Sequence, residues 1–93
     1  MRSTFSNEAR IFKSLSDPKR LAILDLLRHG ERCACALLDD LDLTQSGLSY
    51  HMKILVDSGL VEARQEGRWT HYTISEPGRQ RIASLVLSMT DPD

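Results

Sequence analysis

Residues 44–59 read TQSGLSYHMKILVDSG, and this stretch decides the fold. Threonine is a residue type that caps the N-terminus of a helix, and glycine is one that ends a helix. Between them, apolar residues recur at i, i+4 and i+7 from Leu48, which places them on one helix face. The stretch therefore predicts an amphipathic helix that begins at Thr44 and ends at Gly59.

Three shorter helices are predicted upstream of this one. The first and third helices are indicated by apolar residues, which are Phe5, Ala9 and Phe12 in the first and Leu37, Leu38 and Leu41 in the third. The second is indicated by its end signals, Asp17 at the start and Gly30 at the end. Asp42 and Leu43 leave room only for a tight turn before Thr44. Because two helices joined by such a turn form a helix-turn-helix, the fourth helix takes the place of its recognition helix.

A hairpin and a last helix are predicted downstream. Residues 60–74, LVEARQEGRWTHYTI, contain two β-prone runs separated by Glu66 and Gly67. Ser75 then caps a helix with apolar residues at i, i+3, i+4 and i+7 from Ile82. The order α-α-α-α-β-β-α predicts a mainly α fold with a small β-hairpin, a winged helix-turn-helix.

Length and composition limit the function classes. The 93 residues suffice for a single domain, residues 1–93, and the net charge of −1 means that any nucleic-acid binding must depend on local charge. No apolar stretch is long enough to span a membrane, and the N-terminal MRSTFSNEAR lacks the apolar core of a signal peptide. We expect a cytoplasmic protein with no membrane partner and with reduced thiols.

Polar side chains on the recognition helix and the hairpin are the candidate DNA contacts. A recognition helix presents its N-terminal, outward residues to base edges in the major groove, and basic residues bind phosphates. The predicted DNA-binding residues are Thr44, Gln45, Ser46, Ser49, Tyr50 and Lys53 on the helix, and Arg64 and Arg68 on the hairpin. For any one of them, a solvent-exposed polar face is the alternative interpretation. We expect His51 to be structural, and Trp69 and Tyr72 to pack against the core.

The only two cysteines lie one residue apart, in residues 31–38, ERCACALL. Side chains at i and i+2 point about 200° apart on a helix but the same way in an extended segment. Chelation by Cys33 and Cys35 is therefore incompatible with a regular helix through both, and we expect binding to distort the start of the third helix. Thiolates favour soft ions. Packing is the alternative role, because free cysteine is a common small core residue.

Four segments together resemble the ArsR/SmtB-type family of metalloregulatory winged-helix repressors. They are SDPKRLAILDLL (16–27), ERCACALLDDL (31–41), LTQSGLSYHMKILVDSGLV (43–61) and EGRWTHYTI (66–74). The resemblance implies a homodimer formed by the first and last helices, and a repressor that an inducer releases from double-stranded operator DNA. Cys33 and Cys35 match the Cys-x-Cys pair of the arsenic-responsive branch, whereas Leu38 replaces the third cysteine that many of its members have.

The resemblance favours an arsenical-resistance repressor whose inducer is As(III) or Sb(III), with a third ligand from outside the protein. Tetrahedral zinc would require two further ligands. One alternative is a repressor that senses another metal or oxidation, although a disulfide between i and i+2 closes a small ring and is disfavoured. A remote alternative is a thiol oxidoreductase, but Cys-x-x-Cys beside a βαβ unit is absent. We therefore do not expect an enzyme.

Overall fold

The computed structural model describes residues 4–93 as a helical body with a small antiparallel sheet. The elements are α1 (Ser6–Leu15), α2 (Pro18–Leu27), β1 (Arg32–Cys33), α3 (Ala34–Asp40), α4 (Gln45–Asp57), β2 (Val61–Glu66), β3 (Trp69–Ile74) and α5 (Glu76–Thr90). The predicted winged helix-turn-helix is confirmed, with α3 and α4 as its two helices. None of the helices within residues 4–93 is long and apolar enough to cross a bilayer.

The predicted N-terminal caps are present. The Asp17 carboxylate accepts the backbone amide of Lys19 at 2.8 Å at the start of α2, and the Thr44 hydroxyl accepts that of Gly47 at 3.0 Å at the start of α4. The side chain of Ser75 caps α5 in the same way. Because these oxygens satisfy amides that have no partner within the helix, they determine where α2, α4 and α5 begin.

The sheet has one strand more than the sequence predicts. Its order is β1-β3-β2, with β3 antiparallel to both neighbours. In one row of this sheet, Cys33 of β1 lies opposite His71 of β3, which lies opposite Arg64 of β2. Two residues are too few to show a period of two, so β1 is recognisable only from its partner strand. The observed order is therefore α-α-β-α-α-β-β-α.

The core lies where the helix-turn-helix packs on α2 and on the start of β2. Its buried side chains are Ile23 and Leu27 of α2, Leu37 of α3, Leu48, Met52 and Leu55 of α4, and Val61 of β2. The predicted apolar face of α4 is thus confirmed. The core joins α3 directly to α4, so a shift at one of these helices affects the packing of the other.

A buried guanidinium links α1, α2 and α4. Arg20 donates from Nε to the carbonyl oxygen of Ser14 at 2.7 Å and from Nη1 to Nδ1 of His51 at 3.0 Å. His51 is only 7% exposed, so its predicted structural role is confirmed. The recognition helix is therefore held by a polar contact as well as by its apolar face.

Helix α5 leaves much of its apolar surface uncovered. Ile82 is buried, but Val86, Leu87 and Met89 are 45%, 71% and 46% exposed. The residue that caps α5 is tied to the main body, because the amide of Ser75 donates to the carbonyl of Leu60 at 2.8 Å. The C-terminal half of α5 therefore presents apolar residues to solvent in the single chain.

Candidate nucleic-acid interface and thiol site

The recognition helix carries its predicted DNA contacts on a single exposed face. Gln45, Ser46, Ser49, Tyr50 and Lys53 are all exposed, and they lie opposite the buried residues of α4. The predicted exposure of this face is therefore confirmed, and its contact with DNA stays a prediction. The apolar side of the helix fixes the orientation in which these groups would meet a duplex.

The polar groups of this face differ in whether they already have a hydrogen-bond or ion-pair partner within the protein. The Thr44 hydroxyl caps α4 and lies 3.3 Å from the Ser46 hydroxyl, so both have partners. Lys53 Nζ lies 3.2 Å from an Asp57 carboxylate oxygen. Exposed pairs of this kind contribute less than about 1 kcal/mol, so a phosphate can compete with Asp57. Across residues 4–93, the side chain of Gln45 makes no hydrogen bond.

Arg64, in contrast, is bound by two carboxylates on the outer face of the sheet. Its Nη2 donates to a Glu31 oxygen at 2.6 Å, and its Nη1 donates to Glu66. The hydrogen bonds from Arg64 lower the pKa of Glu31 and of Glu66 and raise the pKa of the guanidinium. A phosphate contact from Arg64 stays a prediction. It requires Arg64 to leave Glu31 or Glu66 and bind the phosphate instead. Sequence spacing did not suggest Glu31, because its proximity depends on the unpredicted pairing of β1.

Arg68 lies in the hairpin turn and is exposed. The turn is held by Gln65, whose side chain donates to the Gly67 carbonyl at 3.1 Å and accepts from the Thr70 hydroxyl at 2.8 Å. Gly67 has a φ of 62°, which glycine adopts without steric cost. In the part of the chain that the structure describes, Arg68 forms no ion pair, so it is the hairpin cation that is ready to meet a phosphate.

The two cysteines meet at the junction of β1 and α3. Cys33 is extended (φ −68°, ψ 146°), and its sulfur accepts the backbone amide of Cys35 at 3.2 Å. Their Cα atoms are 5.2 Å apart and their sulfurs form a disulfide. The expectation of two reduced thiols, with a disulfide disfavoured, is wrong for this structure. Helix α3 begins only at Ala34, so Cys33 takes the extended conformation that lets the two side chains converge.

The effect of chelation on the third helix stays a prediction, and it concerns a helix that begins after Cys33. No regular helix runs through both cysteines, so the sulfurs come together without unwinding α3. A ligand on Cys33 would instead compete for the sulfur that caps α3. Within residues 4–93, no group of three or more His, Cys, Asp and Glu side chains is arranged to hold a metal ion. Once the disulfide is reduced, the two soft sulfur donors would fit a thiophilic ion and leave its third ligand to come from elsewhere.

A model of one bacterial regulatory protein family, the arsR family, matches residues 17–63. The match runs from the cap of α2 through the recognition helix into β2, and it therefore contains the whole helix-turn-helix. The chain belongs to the arsR family. The predicted family is thereby confirmed, and residues 17–63 include both cysteines and six of the eight predicted DNA contacts.

Relatives of this chain include regulators that are named for different resistance operons and one that is uncharacterized. An uncharacterized HTH-type transcriptional regulator of Methanocaldococcus jannaschii is 41% identical, over 88% of this chain and 93% of its own. The arsenical resistance operon repressor of Staphylococcus xylosus is 47% identical, over 77% of this chain and 69% of its own. A probable mercury resistance operon repressor of Streptomyces lividans is 37% identical, over 85% of this chain and 61% of its own.

A solved structure supports the fold. The homodimeric winged helix-turn-helix DNA-binding domain of a possible ArsR-family regulator from Mycobacterium bovis is 34% identical to this chain. It aligns with a TM-score of 0.74 and covers 97% of this chain and 88% of that one. As a member of the arsR family of bacterial regulatory proteins, the chain is a DNA-binding transcriptional regulator rather than an enzyme.

For this arsR-family regulator, Arg68→Ala is expected to weaken DNA binding about fivefold near physiological salt and to reduce the slope of log affinity against log salt by about one. The reason is the loss of one phosphate contact and of the counterion that it releases. Affinity is measured by fluorescence anisotropy at several salt concentrations, with a duplex selected from a random library by the wild-type protein. Arg79→Ala is the control, because Arg79 is exposed on α5 and paired with Glu76. If Arg68→Ala changes neither affinity nor slope, the hairpin is not a DNA-contacting wing.

Proposed function

We propose that this regulator is a homodimeric repressor that leaves its operator when trivalent arsenic or antimony binds Cys33 and Cys35. One observation carries the proposal. The two sulfurs converge at the N-terminal end of α3, the first helix of the helix-turn-helix. A ligand held there acts on the element that packs against the recognition helix. The arsenical repressor from Staphylococcus adds support from a relative.

The chemistry requires the reduced pair. Each thiol displaces one hydroxyl from arsenous acid, so two As–S bonds form, two water molecules are released and one hydroxyl remains as the third ligand. Sulfur donors are preferred by soft ions over the oxygen donors available nearby. The disulfide of the structure must first be reduced. Thiols such as glutathione inside cells reduce accessible disulfides in this way.

The coupling to DNA follows from two contacts of the same segment. The Cys33 sulfur caps α3 through the amide of Cys35, and Leu37 of α3 lies in one buried cluster with Leu48 of α4. An ion on Cys33 takes the capping sulfur and changes how α3 begins. Because a ligand shifts a conformational equilibrium only by its differential affinity for the two states, the DNA-bound form must be the one that holds the ion less tightly.

A homodimer is the second part of this proposal, and the first and last helices form its interface. Phe5 is 58% exposed, and the apolar side of α5 remains open in the single chain. Phe12 and Leu85, the other predicted interface residues with Phe5 and Met89, are only partly buried. A domain of this size gains stability when a second copy covers such a face. The homodimeric relative from Mycobacterium supports the assembly.

Sedimentation velocity at about ten micromolar protein, well above the dissociation constant of an ordinary stable dimer, is expected to give a dimer. Leu87→Glu is expected to shift the protein toward monomer, because it places a charge on the apolar side of α5. Gln80→Glu adds the same charge near the start of the helix, where no apolar side chain is lost, and should remain dimeric. A monomeric wild-type protein contradicts this part of the proposal.

A redox-sensing repressor is the second candidate, and the disulfide in the structure favours it. The deciding experiment follows the anisotropy of a labelled, library-selected duplex bound to reduced protein. Arsenite, antimonite, mercuric ion, zinc and hydrogen peroxide are added separately. Release by arsenite or antimonite at about one equivalent, but not by zinc or peroxide, is the expected result. Release by peroxide alone would establish the redox function instead, and release by mercuric ion alone would reassign the inducer.

A further inference from the structure

A small cleft lies between the recognition helix and the hairpin. Its volume is about 90 Å³, and its walls include Leu38 of α3, Gln45 and Ser49 of α4, and Arg68, Trp69 and Thr70 of the hairpin. The cleft therefore brings the predicted DNA contacts Gln45, Ser49 and Arg68 next to Trp69. Trp69 is an aromatic residue that was not predicted to bind DNA.

Trp69 is the aromatic side chain at this opening, and it is the only tryptophan in the sequence. It begins β3 opposite Glu66, next to the turn, and is 42% exposed. The expectation that it packs against the core is therefore wrong. Tyr72, further along the same strand, does pack against the core cluster. Trp69 therefore keeps an exposed surface while it lines the same cleft as Leu38.

We infer that Trp69 is a DNA-contacting residue, with its indole ring packed against the sugar-phosphate backbone of the duplex that Gln45 and Ser49 read. Residues that line one cleft of this size are near neighbours, so a duplex at Gln45 comes within reach of the ring. Tryptophan supplies a large apolar surface and one N–H donor, which suits the deoxyribose and phosphate edges of a strand. This contact concerns DNA binding itself and does not depend on the arsenic proposal.

The exposed position of the ring gives a direct test on the wild-type protein. Because there is one tryptophan, its intrinsic fluorescence reports on this site alone. Quenching by acrylamide is measured before and after saturation with a duplex selected from a random library. The quenching constant is expected to fall by about half or more, since the backbone covers the exposed side of the indole. An unchanged quenching constant in the saturated complex would overturn the inference.

Substitution then measures what the contact contributes. Trp69→Ala is expected to weaken binding to the selected duplex about tenfold, because the apolar contact is lost, and Trp69→Phe should retain most of the affinity. The salt dependence should be that of wild type in both, whereas Arg68→Ala reduces it. Circular dichroism and thermal melting establish which variants are folded. A folded Trp69→Ala protein with wild-type affinity overturns the inference, and if that variant does not fold, the quenching result decides.

Discussion

Replacing either Cys33 or Cys35 with serine is expected to abolish the release of DNA by arsenite and to leave folding and DNA affinity nearly unchanged. Serine keeps the size of the side chain but replaces a soft sulfur with a hard hydroxyl, so the ion loses one of two protein ligands and its chelate ring. Cys33→Ser should even preserve the cap of α3, because serine is a preferred N-terminal capping residue. The measurement is the anisotropy of a labelled, library-selected duplex as arsenite is added to each reduced protein.

Ala36→Ser is the matched control for these two variants, because it adds a hydroxyl to the same helix turn without removing a thiol. It should release DNA as wild type does. Leu38→Cys tests the opposite change, since it adds a third thiolate about one turn after Cys35. That variant is expected to respond at lower arsenite concentration if the third sulfur reaches the ion. Normal release from both serine variants would mean that the pair has a packing role and that any inducer binds elsewhere.

The helix-turn-helix was predictable from the sequence because its determinants are local. The cap at Thr44, the stop at Gly59 and the apolar residues from Leu48 all lie within one stretch, and each acts on its nearest neighbours. The exposed face of α4 followed from the same periodicity, since a helix that buries one side must expose the other. The hairpin was predictable for the same reason, but its two turn residues are Gly67 and Arg68 rather than Glu66 and Gly67, because Glu66 pairs with Trp69 at the end of β2.

The features that the sequence did not predict depend on contacts between distant parts of the chain, and the periodicity of apolar residues does not encode such contacts. Strand β1 exists because Arg32 pairs with Tyr72, forty residues away along the sequence. That pairing brings Glu31 to Arg64 and thereby changes the environment of a predicted DNA contact. The exposure of Trp69 depends on how the hairpin lies against α3 and α4, whose residues line the same cleft. The convergence of the two cysteines likewise depends on α3 beginning at Ala34, one residue later than a helix through both would require.

Gly78→Ala is expected to be strongly destabilising, although glycine-to-alanine changes within helices usually stabilise. Gly78 is buried in the first turn of α5, and a Cβ atom there would lie 1.9 Å from the carbonyl oxygen of Gly59. That oxygen belongs to the backbone that ends α4 (Gly59 φ 87°), so it has little freedom to move away. Overpacking of this kind costs about 1–3 kcal/mol or more, and it outweighs the gain in helix propensity of about 1 kcal/mol.

The consequence extends beyond stability, because α5 carries the apolar face that we assign to the dimer. If α5 is displaced from Gly59, the melting temperature should fall by about 5–15 °C for a net loss of 1–2 kcal/mol in a domain of this size, and the dimer should weaken with it. Gly47→Ala is the matched control, since its Cβ would meet only side-chain atoms, the nearer being the Thr44 hydroxyl oxygen at 3.1 Å. Both variants are compared by thermal circular dichroism and by sedimentation. If Gly78→Ala melts within about 2 °C of wild type, a shift too small for such a clash, then α5 is not docked against Gly59 as described.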